Sequence, residues 1–430
     1  MTDTNRTHAL EILQQVLHGR QPLDAAVAGH SALARTDGPS QAFARRLVTT
    51  TIRHLGQIDD AIAQSLDRPL RAKARTAHDI LRLGAAQILF MEIPDHAAVD
   101  TSVRLFKAVG EGGFAKLVNA VLRRLTREGG GWVRDQDAAR LNTPDWLWNS
   151  WSAAYGEETC RRIAEAHLCS PPLDISVKSD PEGWAAKFGG NVLPGGSVRL
   201  YQPDAVSALA GYDEGEWWVQ DTAAKLISSL IGDVRGKRVI DLCAAPGGKT
   251  ACLINSGAQV SAVDRSANRL KRLQANMKRL NFDPEIIEAD AATWRPQELA
   301  DAVLLDAPCS ATGTLRRHPD VAYGKSEADI AKLTALQLRL LDAASEMVKP
   351  GGIVLFVTCS LQVDEGPAIC EAARRTVSSL TPSSFSSDDI PLADDLLSVD
   401  GTFRSLPCHL SDLGGMDGFF IAKMKRSSSC

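Results

Sequence analysis

A chain of 430 residues exceeds what one ordinary core encloses, so two or more domains are expected. With 44% hydrophobic and 23% charged residues it has the makeup of a folded globular protein, which excludes a disordered or fibrous chain. No basic-then-apolar leader opens the sequence, and no apolar run approaches the roughly 18 residues of a membrane span, so a cytoplasmic location without membrane contact is expected.

The net charge of −4 names no partner by itself. Its distribution says more: residues 1–140 carry a balance of +4 and the remainder −8, a pointer to a polyanion at the N-terminal end. Nine cysteines, Cys160, Cys169, Cys243, Cys252, Cys309, Cys359, Cys370, Cys408 and Cys430, show no C-x-x-C pair and no histidine at zinc spacing. Reduced thiols and no metal site are expected, and nothing in the sequence requires more than a monomer.

Residues 1–140 read as helical. The clearest stripe is Phe114, Leu117, Val118, Val121, Leu122 and Leu125, at helical spacing, with earlier helices over 79–90 and 97–109 divided by Pro94. Lys116, Arg123, Arg124 and Arg127 lie mainly off that stripe, either as a solvated face or as an RNA-contacting one. Gly129-Gly130-Gly131 and Asn142-Thr143-Pro144 predict a boundary by their turn chemistry. Trp146, Trp148, Trp151 and Tyr155 then crowd a short segment as core anchors or as stacking surfaces for bases. Short strands over 173–177 and 197–201 predict a small α+β connecting subdomain, 141–215, that could contact RNA.

From residue 216 strands and helices alternate: 239–243, 259–263, 285–288, 302–305 and 353–357 read as parallel strands, with 418–423 as a late antiparallel addition. Residues 378–397, rich in Ser, Asp and Pro, read as an exposed loop insertion. The domain expected over 216–430 is therefore an α/β, Rossmann-like fold with its ligands at the carboxyl ends of the strands.

The first of those strands runs into Cys243-Ala244-Ala245-Pro246-Gly247-Gly248-Lys249-Thr250, a glycine turn where small residues let backbone amides approach a ligand at a helix N-terminus. A Walker A loop would need glycine at position 243, which is cysteine, and the G-x-G-x-x-G of a dinucleotide site is absent. Asp264 closes the next strand where such a unit places a carboxylate on a ribose. A single nucleoside carrying an amino acid tail fits best, which points to S-adenosylmethionine, with Lys249 available for the tail carboxylate. Asp241, Asp290 and Asp306 recur at other strand ends. Two further ends carry thiols: Asp306-Ala307-Pro308-Cys309-Ser310 and Thr358-Cys359-Ser360.

These motifs, with Arg316-Arg317-His318-Pro319-Asp320 and Asp417-Gly418-Phe419-Phe420, resemble the RNA cytosine-C5 methyltransferases of the Nol1/Nop2/Sun group over roughly residues 215–430. The N-terminal helices resemble the RNA-binding fold of the antitermination factor NusB, on Leu81-Arg82-Leu83, the turn Pro94-Asp95-His96-Ala97-Ala98-Val99 and the run 116–122. The resemblance implies an all-α NusB-like domain over 1–140 joined to a class I S-adenosylmethionine-dependent methyltransferase domain. It implies that Cys243, Ala244, Ala245, Pro246, Gly247, Gly248 and Lys249 contact S-adenosylmethionine, Asp264 its ribose, Asp290 the adenine side and Asp306 the methyl-transfer pocket. It further implies Cys359 as nucleophile, Cys309 in product release, and 16S rRNA, at the cytosine numbered 967, as substrate.

Arg316, Arg317 and His318 are expected to hold phosphates or a base edge. Relatives with the same residues modify tRNA or 23S rRNA, and a non-catalytic assembly factor is the contrasting reading. Where the family often reads Pro-Glu-Glu-Asn, this chain has Val363-Asp364-Glu365-Gly366.

Overall fold

The computed structural model describes residues 4–70, 74–109, 113–201, 205–390 and 393–428; Cys430 lies outside them. The chain forms two compact units, one of residues 1–169 with 315–326 and one of 170–314 with 327–430. Among the described residues no helix is long and apolar enough to cross a membrane.

The first unit is helical, as its periodicity predicts. Helices Thr4–Leu17, Gly38–Arg53, Leu55–Gln64, Arg75–Phe90, Asp95–Ala108 and Ala115–Arg124 bury one stripe each, and Leu13, Leu47, Ile58, Leu81, Phe106 and Leu122 meet in one core. Asp37 starts the second of these by accepting from the Ser40 amide at 2.9 Å.

Two features depart from the sequence reading. The glycine run does not end the helix: a π turn, Leu125–Gly129, leads straight into Gly130–Asp135. A Cβ on Gly129 would lie 2.8 Å from Leu89 Cδ2, so this glycine serves close packing rather than chain reversal. The unit also continues past residue 140. Helices Asp145–Tyr155 and Glu157–Leu168 belong to it, Trp148 and Trp151 are buried, and Arg53 Nη1 donates to the carbonyls of His167 (2.8 Å) and Cys169 (3.1 Å).

The second unit contains two sheets. Strands β1 (Leu173–Val177), β2 (Asn191–Val192), β3 (Ser197–Leu200) and β4 (Trp217–Val219) form an antiparallel sheet in the order β2-β3-β1-β4. The larger sheet holds β5 (Arg238–Leu242), β6 (Gln259–Asp264), β7 (Glu285–Glu288), β8 (Ala300–Asp306), β9 (Val348–Thr358), β10 (Leu380–Ser383), β11 (Phe403–Ser405) and β12 (Phe419–Arg426). Its order is β10-β12-β9-β8-β5-β6-β7, with β11 beside β12; β5 to β9 are parallel and β12 runs antiparallel to β9.

Side-chain alternation along a strand builds a core on each face. Val303 and Leu305 of β8, with Val354 and Phe356 of β9, face helices Glu327–Met347 and Pro367–Thr376, while Ala302, Leu304, Leu355 and Val357 pack with Leu226 and Leu253 on the other side. Buried on both faces, these strands read as continuous apolar runs, which is why they were legible. The expected exposed loop at 378–397 is instead partly structured. It contributes β10, and Phe385, Ile390 and Leu396 are buried beside Phe403 and Phe419, so its polar composition concealed three apolar anchors.

The small sheet is tied down by a fully buried ion pair: Arg199 Nε and Nη2 each donate to Asp174 at 2.7 Å, and Nη1 donates to the Leu413 carbonyl at 2.8 Å. Removing one partner leaves an uncompensated buried charge. Arg199→Met is expected to destabilise this unit by about 3–5 kcal/mol in urea unfolding, with part recovered in the Asp174→Leu/Arg199→Met double variant; a loss below about 1 kcal/mol contradicts this.

Candidate active site

The carboxyl ends of β5, β6, β8 and β9 carry the residues singled out in the sequence. After β5 the chain turns through Cys243, whose φ of 61° lies in the left-handed region, and Gly247, with φ of 101°, before helix Gly248–Asn255. A Cβ on Gly247 would sit 3.0 Å from Met277 Cε and 3.1 Å from Leu273 Cγ, so conformation and packing both call for glycine. The turn is latched to the end of β6: Ala244 N donates to the Val263 carbonyl (3.1 Å) and Ala245 N to Asp264 Oδ2 (3.3 Å). Asp264, 2% exposed, also accepts from Ser266 N at 2.9 Å and pairs with Arg269 at 3.1 Å.

Asp241 is fully buried. Its Oδ2 accepts from Thr250 Oγ1 at 2.6 Å, and its Oδ1 has no hydrogen-bond partner among the described residues. Burial, with the nearby Asp306 and Asp264 charges adding to it against the Thr250 hydrogen bond, pushes its carboxyl up to about 7. Burial and the same acids push the Cys243 thiol up to about 12, so it is inert. Lys249 Nζ lies 2.7 Å from Asp306 Oδ2 and 5.2 Å from the centre of the Phe419 ring. Burial works against the ammonium, but the Asp306 carboxylate outweighs it, and the lysine is held above its ordinary range. Lys249 and Asp306 thus form a close pair at the ends of the glycine turn and β8. Asp290, after β7, is exposed and accepts from the Ala292 amide at 3.0 Å.

The two thiols meet. Cys309 Sγ and Cys359 Sγ are 3.4 Å apart. The hydrogen bond to Cys359 and burial, with the Cys359 and Glu365 charges added, raise the Cys309 thiol well above its ordinary value. Either sulfur can donate across this contact, and the shift favours Cys309 as the protonated one. Backbone bonds fix both turns: Ala307 N to the Val357 carbonyl and Gly313 N to the Cys359 carbonyl, both 2.9 Å. Asp417-Gly418 closes the back of this loop, since Gly418 N donates to the Gly313 carbonyl at 2.8 Å and a Cβ on Gly313 would lie 2.0 Å from the Gly418 oxygen.

Sequence reasoning missed Glu365, which accepts from the serines after both cysteines. The available signal was its place in Val363-Asp364-Glu365-Gly366, where it retains the second glutamate of the Pro-Glu-Glu-Asn that the family often carries.

Arg316, Arg317 and His318 belong to the helical unit. Arg316 is 1% exposed and close enough to Arg53 and His167 to disfavour their charged forms, so as folded it offers no surface to a phosphate. Arg317 and His318 are half-buried, and Asp320 Oδ2 anchors the segment by accepting from Leu23 N at 3.0 Å. One cluster of metal-ligating types occurs among the described residues, His8, Glu11 and His30. His30 Nδ1 accepts from Leu33 N at 3.1 Å, which leaves the ring proton on Nε2, 2.7 Å from Glu11; this is a closed hydrogen bond rather than an open ligand set. A cavity of about 780 Å³ lined by Arg238, Gln259 and Glu285 lies at the amino ends of β5 to β7, away from the thiols.

A parallel sheet carrying a glycine turn, a strand-end acid beside it and a buried unsatisfied carboxylate oxygen fits an adenosyl ligand with a cationic tail; this is the site of a class I S-adenosylmethionine-dependent methyltransferase. The model of the 16S rRNA methyltransferase RsmB/F family matches residues 230–425, and that of the NusB family matches residues 3–127. Ribosomal RNA small subunit methyltransferase B of Cronobacter sakazakii is 32% identical over 97% of this chain and 98% of its own, and that of Pasteurella multocida 34% identical over 98% and 96%. The crystal structure of PH0851 superposes with a TM-score of 0.76 at 21% identity over 99% of both chains. NSun6 from Pyrococcus horikoshii, solved with SFG, gives 0.57 at 18% identity over 67% of this chain and 99% of its own. The chain belongs to the RsmB/F family of RNA methyltransferases and has a NusB-type helical domain.

The position of Asp241 has a measurable cost. Its folded carboxyl titrates at about 7 whereas an unfolded aspartate titrates near 4. Between those values the folded state holds the extra proton, so stability falls as pH rises through that window. In urea titrations of ligand-free protein, the stability advantage of Asp241→Asn is expected to grow from pH 4 to pH 8, reaching on the order of a few kcal/mol. Parallel pH profiles for variant and wild type contradict the assignment.

Proposed function

We propose that this protein methylates C5 of a cytosine in 16S rRNA, cytosine 967, through a covalent bond between Cys359 and C6 of the base. The observation that supports it most is the pair of thiols 3.4 Å apart at neighbouring strand ends, beside the Lys249–Asp306 pair. The N-terminal NusB-type domain favours rRNA, and its exposed Lys116, Arg123 and Arg127, with Arg317 and His318, are the groups proposed to meet the phosphate backbone.

Cytosine C5 is a poor nucleophile until a group adds at C6. The Cys359 sulfur forms that bond, moving the ring electrons toward N3 and C5. Asp306 is proposed to take the proton of the Cys359 thiol and to deliver it to N3 as the ring electrons arrive there, and Lys249 adds positive charge where negative charge develops. Residues 243–249, with Asp264 on the ribose and Asp290 on the adenine side, would hold S-adenosylmethionine, which would supply a sulfonium methyl for C5 and leave as S-adenosylhomocysteine. Transfer of the C5 proton to solvent then restores the C5–C6 double bond and breaks the C6–S bond, and the N3 proton returns through Asp306 to the Cys359 sulfur. Cys309, which keeps its proton, donates a hydrogen bond to the departing Cys359 sulfur and so favours release. Because attack comes from one ring face, the base must be unstacked. Acting on rRNA, the protein works in the cytoplasm.

Cys359→Ala is expected to abolish methyl transfer, by more than about 1,000-fold, without forming an adduct. Cys309→Ala is expected to leave bond formation intact and to accumulate a protein–RNA adduct that survives denaturing electrophoresis. Turnover by the Cys359 variant, or clean release by the Cys309 variant, overturns the corresponding role.

A further inference from the structure

Behind the thiols lies a polar knot that the reaction above does not use. Glu365 is fully buried, as are Ser310, Ser360 and Gln337. Its Oε1 accepts from Ser310 N at 2.9 Å and from Gln337 Nε2 at 3.0 Å; its Oε2 accepts from Ser310 Oγ at 2.5 Å and Ser360 Oγ at 2.7 Å. Ser310 and Ser360 directly follow Cys309 and Cys359.

Ser310 Oγ also lies 3.0 Å from Ser360 Oγ, and Thr312 Oγ1 lies 3.4 and 3.3 Å from the two, but the approaches of both serine hydroxyls to Glu365 are shorter. Ser360 Oγ receives the Gln362 amide at 3.0 Å, so its own proton goes to Glu365. Gln337 Nε2 also donates to the Pro308 carbonyl at 2.9 Å, and Thr358 Oγ1 donates to the Glu365 carbonyl at 3.0 Å, so side chain and backbone of one residue grip both turns. A carboxylate without solvent is costly unless donors converge on it. Two apolar residues could have packed these turns together at less expense, which makes the placement of a charge one residue from each thiol informative.

We infer that Glu365 is the positioning residue for the two cysteines, and that it determines which of them acts as nucleophile. Its carboxylate sets the spacing of the thiols by holding the backbone and hydroxyl of Ser310 and the hydroxyl of Ser360. Its charge also disfavours a second negative charge on Cys309, in addition to the effects of the Cys359 hydrogen bond and of burial. Cys309 is thereby kept as the protonated partner, and Cys359 is left to attack. This deepens the cysteine-adduct reading proposed above and rests on it for the assignment of roles.

Glu365→Gln tests the inference in the full chain. The amide keeps the shape but removes the charge: its oxygen can accept from the Ser310 amide and Gln337 Nε2 only if its NH2 faces the Ser310 and Ser360 hydroxyls, which must then turn from donors into acceptors. The loss of a charged hydrogen-bond hub is expected to lower kcat about 10- to 100-fold, with KM for RNA and for S-adenosylmethionine within about twofold. A second readout needs no substrate. Iodoacetamide labelling at pH 7.5, resolved by peptide mass spectrometry, is expected to favour Cys359 over Cys309 in the wild type and to lose that preference in the variant.

If Glu365→Gln does not fold, Ser310→Ala, which retains the carboxylate and its other donors, is expected to shift the labelling ratio in the same direction by less. An unchanged labelling ratio together with unchanged kcat overturns the inference, as does a defect confined to KM. A shifted ratio in a protein whose wild type transfers no methyl to cytosine keeps the Glu365 role and removes the proposed reaction instead.

Discussion

The parallel pairing of β8 with β9 is the constraint on which the rest of the site depends. The register sets Asp306 opposite Val357, so the two strands end at the same level and the turns that follow begin side by side. Cores on both faces of the sheet leave the strands no freedom to slip, because a one-residue shift would reverse every buried side chain. Two cysteines 50 residues apart in sequence therefore meet at 3.4 Å, as free thiols, through backbone geometry.

The same strand ends gather charge, and the structure neutralises it locally. Asp264 takes backbone amides and Arg269, Asp306 takes Lys249, and Asp241 is left with one hydroxyl and one unsatisfied oxygen. That gradient, from carboxylates satisfied to one with an oxygen unsatisfied among the described residues, at neighbouring strand ends, suits a ligand that carries its own positive charge. Acids at adjacent strand ends would repel one another in an empty site, and a sulfonium with an ammonium tail relieves the repulsion.

Much of this was legible in the sequence because it rests on short-range signals. The strands were continuous apolar runs, and the Ala244-Ala245-Pro246-Gly247-Gly248 turn, the strand-end acids and the Pro308-Cys309-Ser310 and Thr358-Cys359-Ser360 ends are contiguous in the chain. What escaped depends on partners distant in sequence. Gly129 reads as a breaker until Leu89 is seen packed against it. Arg316 reads as a phosphate ligand until burial beside Arg53 and His167 is known. Glu365 is an ordinary acid in a polar turn until Ser310 and Gln337 converge on it. Residues 378–397 looked exposed because serine and aspartate outnumber the three apolar side chains that anchor them.

The account is tested most directly by transfer of labelled methyl groups from S-adenosylmethionine to unmodified 16S rRNA, with tRNA, 23S rRNA and duplex DNA as parallel acceptors and the modified base mapped by mass spectrometry. Label on C5 of a single 16S cytosine is the expected result. Label on another atom or another acceptor would contradict the proposed reaction or substrate, and RNA binding without transfer would leave the protein as an assembly factor rather than an enzyme.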